Sequence, residues 1–183
     1  MTQFRIHDVA SAPADAKPVL ESLTKKFGFI PGLYAGLAES PSALKLYLAA
    51  GEAFAGTSFS PIEQQVVLLA VSVENGCEFC VGAHSFIARQ MVKVPSPVVD
   101  ALRAATELPD ARLNALAAFT RKVVRNRGWV APIDVDDFIS AGFTRAQILE
   151  VVMGVSIKTL SNYANHIIGT QLDSAFAAEA WRR

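Results

Sequence analysis

The stretch Ser60–Ser85, SPIEQQVVLLAVSVENGCEFCVGAHS, decides how the rest of the chain is read. Ser60, Pro61 and Glu63 form the pattern of a capping box, with a hydroxyl at N-cap, proline at N1 and a carboxylate at N3. The residues that follow, to about Glu74, are apolar on nearly every side, which predicts a central buried helix. Asn75-Gly76 breaks it, and a second helix is expected from near Cys77 to about Lys93.

Working outward, the same helical grammar recurs. Asp15 to Lys26 reads as a helix stopped by FGFIPG, with Gly28 and Pro31 as breakers, and Ser42 to Phe54 as another ended by Gly56. Pro95 and Pro97 mark a connection. Asp110 is placed to cap a helix reaching Arg127, and Asp134 to cap a short one ending at Gly142. Thr144 and Gln147 form a further capping box, opening a long helix to about His166. Few segments alternate with period two, so the fold class is all-α. Offset by 84 residues, the two capping boxes coincide and VVLLAVSV falls on EVVMGVSI, a weak internal helical repeat.

Composition narrows the function classes. Hydrophobic residues are 51% and charged residues 19% of 183, which excludes a disordered chain and predicts one domain, 1–183, with 1–56 as an N-terminal helical extension. Lys+Arg 17 balances Asp+Glu 17, which argues against a phosphate-neutralising nucleic-acid binder and a basic membrane-surface protein. The N-terminal MTQFRIHDVASAPADAK lacks the apolar region of a secretory signal, and the run Val66–Val73 is far short of the roughly 18 residues a spanning helix needs. A cytoplasmic protein with reduced cysteines is therefore expected, and so apolar a surface predicts a homo-oligomer.

Both cysteines of the chain lie in one motif, Cys77-x-x-Cys80-x-x-x-His84. On a helix, offsets of 0, +3 and +7 share a face. A helix start near Cys77 favours a thiolate, and a Cys-x-x-Cys pair there can attack a substrate with one sulfur and close a disulfide with the other. His84 is placed to move the proton. A c-type haem requires histidine directly after the second cysteine and is excluded. Zinc on three ligands remains an alternative, although His7 and His166 have no ligand spacing. So does a pair of inert core thiols.

The motif, with FGFIPGLYAGLAESP upstream and LSNYANHI downstream, resembles the alkylhydroperoxidase D / carboxymuconolactone decarboxylase-like family. The resemblance covers most of the chain. It implies an all-helical homo-oligomer, trimer or hexamer, that reduces a hydroperoxide with no metal or organic cofactor and is recycled by an external dithiol. By the same resemblance Cys80 is the attacking cysteine, Cys77 the resolving cysteine and His84 the relay histidine. The family often has a glutamate twelve residues before the first cysteine; here that position is Gln65, which can orient an imidazole but not carry a proton. Glu63 is accounted for as a cap, leaving Glu74 as the nearby carboxylate that can act. The alternatives are a redox sensor without turnover, a zinc-binding oligomer, or a decarboxylase-type lyase that does not use the cysteines.

Three further features receive structural expectations. Asn162, Tyr163, Asn165 and His166 form either a polar helix end or a wall facing the cysteines. Arg121, Lys122, Arg125 and Arg127 read as a solvated basic face, and Trp129 and Trp181 as packing or interface residues.

Overall fold

The computed structural model describes residues 4–183, and no strand occurs among them. Helix α4, Pro61–Glu74, is the axis of the fold. Its capping box is formed: Ser60 Oγ accepts from Glu63 N at 3.3 Å and the Glu63 carboxylate accepts from Ser60 N at 2.8 Å. Gln65, Val66, Val67, Leu69, Ala70, Val71 and Ser72 are all buried, as an apolar circumference requires. Gly76, at φ +66, turns the chain into the region that only glycine enters at little cost, and α5 follows at once as Glu78–Phe86 with Cys77 as its N-cap. The helical path continues towards Lys93, but Ile87–Val92 widens into a π-helix, ended by Lys93 at φ 62.

Around α4 pack α7 (Ala111–Arg125) and α9 (Arg145–Ile168), with α3 (Pro41–Ala55) laid across α9. Thr144 caps α9 as expected, its Oγ1 accepting from Gln147 N at 3.2 Å. Asp110 likewise caps α7. Asp134 has a different place from the one expected: α8 (Pro132–Ser140) starts at Ala131, and Asp134 reaches back from N3 to accept from Ala131 N at 3.0 Å. The helix at Asp15–Lys26 is α1, Lys17–Phe27, closed by Gly28 at φ 80.

Two helices escape a reading by breakers. Prolines at 95 and 97 suggested a connection, yet α6 (Ser96–Arg103) carries Pro97 in its first turn, where a missing N–H costs nothing. α2 (Gly32–Leu37) is a six-residue helix with two glycines. Its local propensity is poor; what holds it is distant, the Asp173 carboxylate accepting from Gly32 N at 3.1 and 3.2 Å.

Asp173 belongs to a C-terminal strap that includes a 3-10 turn, Ser174–Glu179. Glu179 pairs with Arg89 at 3.1 Å and Arg103 at 3.6 Å, and Trp181 Nε1 donates to Arg103 O at 3.1 Å. The strap lies so close to α5 that a Cβ on Gly82 would stand 2.8 Å from Leu172 Cδ1. Trp181 thus serves packing, whereas Trp129 is exposed.

The interior is divided in two. A larger core joins α4, α7, α8 and α9, with Phe119, Phe138 and Phe143 stacked at centroid distances of 4.4 Å. A smaller core joins Leu20, Leu33, Leu37 and Leu44 from the N-terminal helices to Cys77, Phe79 and Cys80. Within the larger core the closest approach is at Gly154, where a Cβ would lie 2.5 Å from Val67 Cγ1 and 3.1 Å from Phe54. Gly154→Ala is therefore expected to destabilise by about 1–3 kcal/mol, lowering Tm by roughly 2–4 °C per kcal/mol, despite alanine's better helix propensity. An unchanged or higher Tm on thermal unfolding would show that this contact is not tight.

Candidate functional site

The site begins with the turn at Gly76. Cys77, at φ −86 and ψ 96, is extended backbone rather than helix, and Cys80 sits one turn into α5. Both cysteines are free, and both are 1% exposed. Because Cys77 precedes the first helical residue, the expected common face of Cys77, Cys80 and His84 does not form. Cys80 and His84 line a cavity of about 530 Å³, while Cys77 lies outside its lining. Among the described residues no group of three His, Cys, Asp or Glu side chains is arranged to hold a metal ion, so the zinc alternative has no ligand set here.

One face of α9 supplies the sulfurs' surroundings. Asn165 Nδ2 donates to Cys80 Sγ at 3.3 Å and lies 3.9 Å from Cys77 Sγ. Ser161 Oγ is 4.0 Å from Cys80 Sγ. Asn162 is buried beside them, its Oδ1 held by Asn75 Nδ2 at 2.9 Å. Of the four polar residues in question, Asn162 and Asn165 reach the cysteines, while Tyr163 and His166 face outward. The fourth member of the inward face is Lys158, which is 1% exposed, lines the cavity, and has no hydrogen-bond partner for Nζ among the described residues.

These contacts divide the two thiols. The Cys80 thiol is held well below the ordinary thiol range: it receives a hydrogen bond from the Cys77 thiol, and the Lys158 charge and the Asn162 amide add to this against the cost of burial. The Cys77 thiol is pushed up, because it donates to Cys80 and is itself buried. The anion is therefore favoured on Cys80 and the neutral thiol on Cys77.

Gln65 meets His84, as the family resemblance implied. His84 Nδ1 lies 3.1 Å from Gln65 Oε1, so Nδ1 carries the proton and Nε2 is left as an acceptor. Enclosure in the fold pushes the imidazole well below its usual range, with the Lys158 charge a second cause. His84 is thus a neutral base. Glu74 is not brought to the cluster. Its carboxylate accepts from Arg125 Nε and Nη2 at 2.7 Å each and lies 3.9 Å from Arg121. Of the basic stretch, Lys122, Arg125 and Arg127 are exposed as expected, with Lys122 paired to Asp134, while Arg121 is buried.

The cavity itself is mostly apolar. Its floor is formed by buried Leu33, Phe79, Cys80 and Lys158, and its exposed rim includes Phe27 and Met91. Phe176 of the strap and Tyr34 of α2 supply aromatic walls. The tyrosines Tyr34 and Tyr47 stand 5.7 Å apart, and burial raises both hydroxyls, keeping them neutral.

Lys158 and Ser161 are the functional residues that motif reasoning passed over. A signal for them exists in the sequence: Lys158, Ser161, Asn162 and Asn165 stand at i, i+3, i+4 and i+7, and Lys158 is the lone charge in the apolar run from Val151 to Leu160. Such a cation on a buried stripe requires an interior partner.

The carboxymuconolactone decarboxylase family model matches residues 41–122. No curated protein matches the sequence. Among solved structures, the alkylhydroperoxidase AhpD core of an uncharacterized peroxidase-related protein from Ralstonia eutropha JMP134 is similar at TM-score 0.83 and 24% identity, over 95% of this chain and 93% of that one. An uncharacterized peroxidase-related protein from Silicibacter sp. TM1040 is similar at TM-score 0.79 and 19% identity, over 96% and 95%. A cysteine-to-alanine variant of the debrominase Bmp8, in complex with 2,3,4-tribromopyrrole, is similar at TM-score 0.80 and 16% identity, over 98% and 96%. The family model's match is thus confined to residues 41–122, within a chain whose fold is similar to that of an alkylhydroperoxidase AhpD core.

Proposed function

We propose that the protein is a thiol-dependent peroxidase that reduces an organic hydroperoxide through Cys80 and Cys77. The observation that carries this reading is the placement of Cys80 on the floor of an apolar cavity, with Cys77 behind it and one amide, Asn165, serving both sulfurs. The Cys80 thiolate attacks the distal peroxide oxygen, the O–O bond breaks, and Cys80 becomes a sulfenic acid while an alcohol leaves. The Cys77 thiol then condenses with it, giving a disulfide and water. The chain has two cysteines only, so the electrons that restore the thiols come from outside, from a dithiol reductant. His84, fixed by Gln65, offers a neutral nitrogen to accept a hydrogen bond in the cavity. Exposed Leu46, Leu149, Val152 and Ile167 support assembly of the protein as a homo-oligomer.

The test is mass spectrometry of the reduced protein after substoichiometric cumene hydroperoxide. The expected product is a Cys77–Cys80 disulfide, formed one per peroxide consumed. Reduced cysteines beside unconsumed peroxide would overturn the assignment.

The aromatic walls favour a second reading, in which the thiolate takes a halogen from a haloaromatic. A sulfenyl halide would form, a proton would replace the halogen on the ring, and Cys77 would displace halide to give the same disulfide. Halide release from a bromopyrrole without peroxide consumption would favour it.

A further inference from the structure

Breaking a peroxide O–O bond leaves an alkoxide, which needs a proton inside a cavity with few polar groups. Lys26 stands at the exposed part of the cavity, and the Tyr34 and Tyr47 hydroxyls are pushed up by burial and hold their protons. Three further groups beside Cys80 carry protons. His84 has committed its Nδ1 proton to Gln65 Oε1. The Cys77 thiol proton is directed at Cys80 and leaves later, with the water of disulfide formation. Lys158 is different. It lines the same cavity as Cys80, it is 1% exposed, and its Nζ has no hydrogen-bond partner among the described residues. A buried ammonium with unused N–H groups is costly unless an anion faces it. In the reduced protein that anion is the Cys80 sulfur, and during reaction it is the leaving oxygen.

We propose that Lys158 is the catalytic acid of the site: it pairs with the Cys80 thiolate and protonates the alkoxide that leaves. This rests on the peroxidase reading above. The step balances within the site. The Sγ–O bond forms as the O–O bond breaks, Cys80 is oxidised to the sulfenic acid, and one proton passes from the Lys158 ammonium to the alkoxide, giving an alcohol and a neutral amine. Condensation with Cys77 releases water. A dithiol reductant then supplies two electrons and two protons; Cys77 takes one proton, Lys158 takes the other, and Cys80 returns to the thiolate. The ion pair therefore exists only in the reduced form. The groups that face Lys158 in this cycle are Cys77, Cys80 and His84 from α5, Tyr34 from α2, Tyr47 from α3, and Ser161 and Asn162 on its own helix.

Two substitutions separate charge from acidity. Lys158→Met removes both. Lys158→Arg keeps the charge but holds its proton at any accessible pH. Three readouts are compared: thiolate absorbance at 240 nm against pH, alkylation by iodoacetamide, which needs a thiolate but no acid, and single-turnover reduction of cumene hydroperoxide. Lys158→Met is expected to move the Cys80 titration up towards an ordinary thiol, to slow alkylation at neutral pH, and to slow peroxide reduction further, by about 10²–10⁴-fold, as loss of a general acid implies. Lys158→Arg is expected to keep the low titration and alkylate at near the wild-type rate, yet reduce peroxide at least about 10²-fold more slowly. In a glutathione redox buffer, Lys158→Met should also shift the equilibrium towards the disulfide, since the reduced form has lost its ion pair.

Peroxide reduction by Lys158→Arg at the wild-type rate would overturn the acid role. An unmoved thiolate titration in Lys158→Met would overturn the ion pair. Should Lys158→Arg not fold, Lys158→Met decides by the ratio of its two losses: equal loss in alkylation and peroxide reduction overturns the acid role. If wild-type protein consumes no peroxide, the peroxidase reading fails by itself, and the titration and glutathione equilibrium still test the ion pair.

Discussion

Cys80→Ser is expected to abolish peroxide consumption, a loss of more than about 10³-fold, while Cys77→Ser is expected to consume one equivalent per chain without turnover, and more only as its sulfenic acid over-oxidises. The asymmetry follows from placement. Cys80 alone of the two cysteines lines the cavity, and its neighbours favour the anion. A serine hydroxyl there stays protonated in the same surroundings and is a poor nucleophile towards peroxide oxygen. Cys77 sits behind, buried and held as the thiol, so it cannot meet substrate first. With Cys77→Ser the Cys80 sulfenic acid has no thiol to condense with. It accumulates, reacts with dimedone, and moves on to the sulfinic acid under excess peroxide. Peroxide consumption and intact-protein mass at one, two and ten equivalents distinguish these outcomes. Undiminished consumption by Cys80→Ser would reject the assignment of the nucleophile, and steady turnover by Cys77→Ser would reject that of the resolving sulfur.

The second large effect is expected at a residue that carries no charge. Asn165→Leu keeps nearly the same volume and removes the N–H donor that stands 3.3 Å from Cys80 Sγ. Hydrogen bonds to ionised groups are worth about 1.5–3 kcal/mol, which corresponds to roughly 10–100-fold in rate. The direction with pH can be stated. In the wild type the Cys80 thiol titrates below its ordinary range, so the thiolate persists to lower pH than that of an ordinary thiol. In Asn165→Leu the titration moves up, and below it the rate should fall by about tenfold per pH unit as the thiolate fraction falls. The deficit is therefore expected to be small at pH 9 and largest near pH 6. A uniform loss across pH would mean that Asn165 acts on packing rather than on the sulfur. Its unpartnered Oδ1 makes leucine a tolerable neighbour in the same space.

What was legible in the sequence was what neighbours in sequence decide. The boxes at Ser60 and Thr144 use groups three residues apart, and both form. The Cys77–Cys80 pair was legible from its spacing, and the Gln65–His84 contact, between two helices joined by one glycine turn, from the family resemblance. What failed depended on partners far along the chain. α2 forms because Asp173, 141 positions away, caps it. Glu74 is withdrawn from the site because Arg125, 51 positions away, claims its carboxylate. Lys158 was passed over because a lone lysine gains meaning only when the fold buries it against a sulfur from another helix. The one-face reading of Cys77 failed for a local reason: an N-cap residue is extended, and helical periodicity does not reach it.

The cavity joins the segment that the family model matches to flanks that it does not. Gln65, Cys77, Cys80 and His84 lie within the segment 41–122, which the family model matches, and on the proposed reading they carry the electron exchange. Tyr34, Lys158, Asn162, Asn165 and Phe176 lie outside it, and they bring the charge, the amide donors and much of the wall. Drift in the flanks can therefore retune which molecule enters and how eagerly the sulfur reacts, while the reactive pair stays as it is.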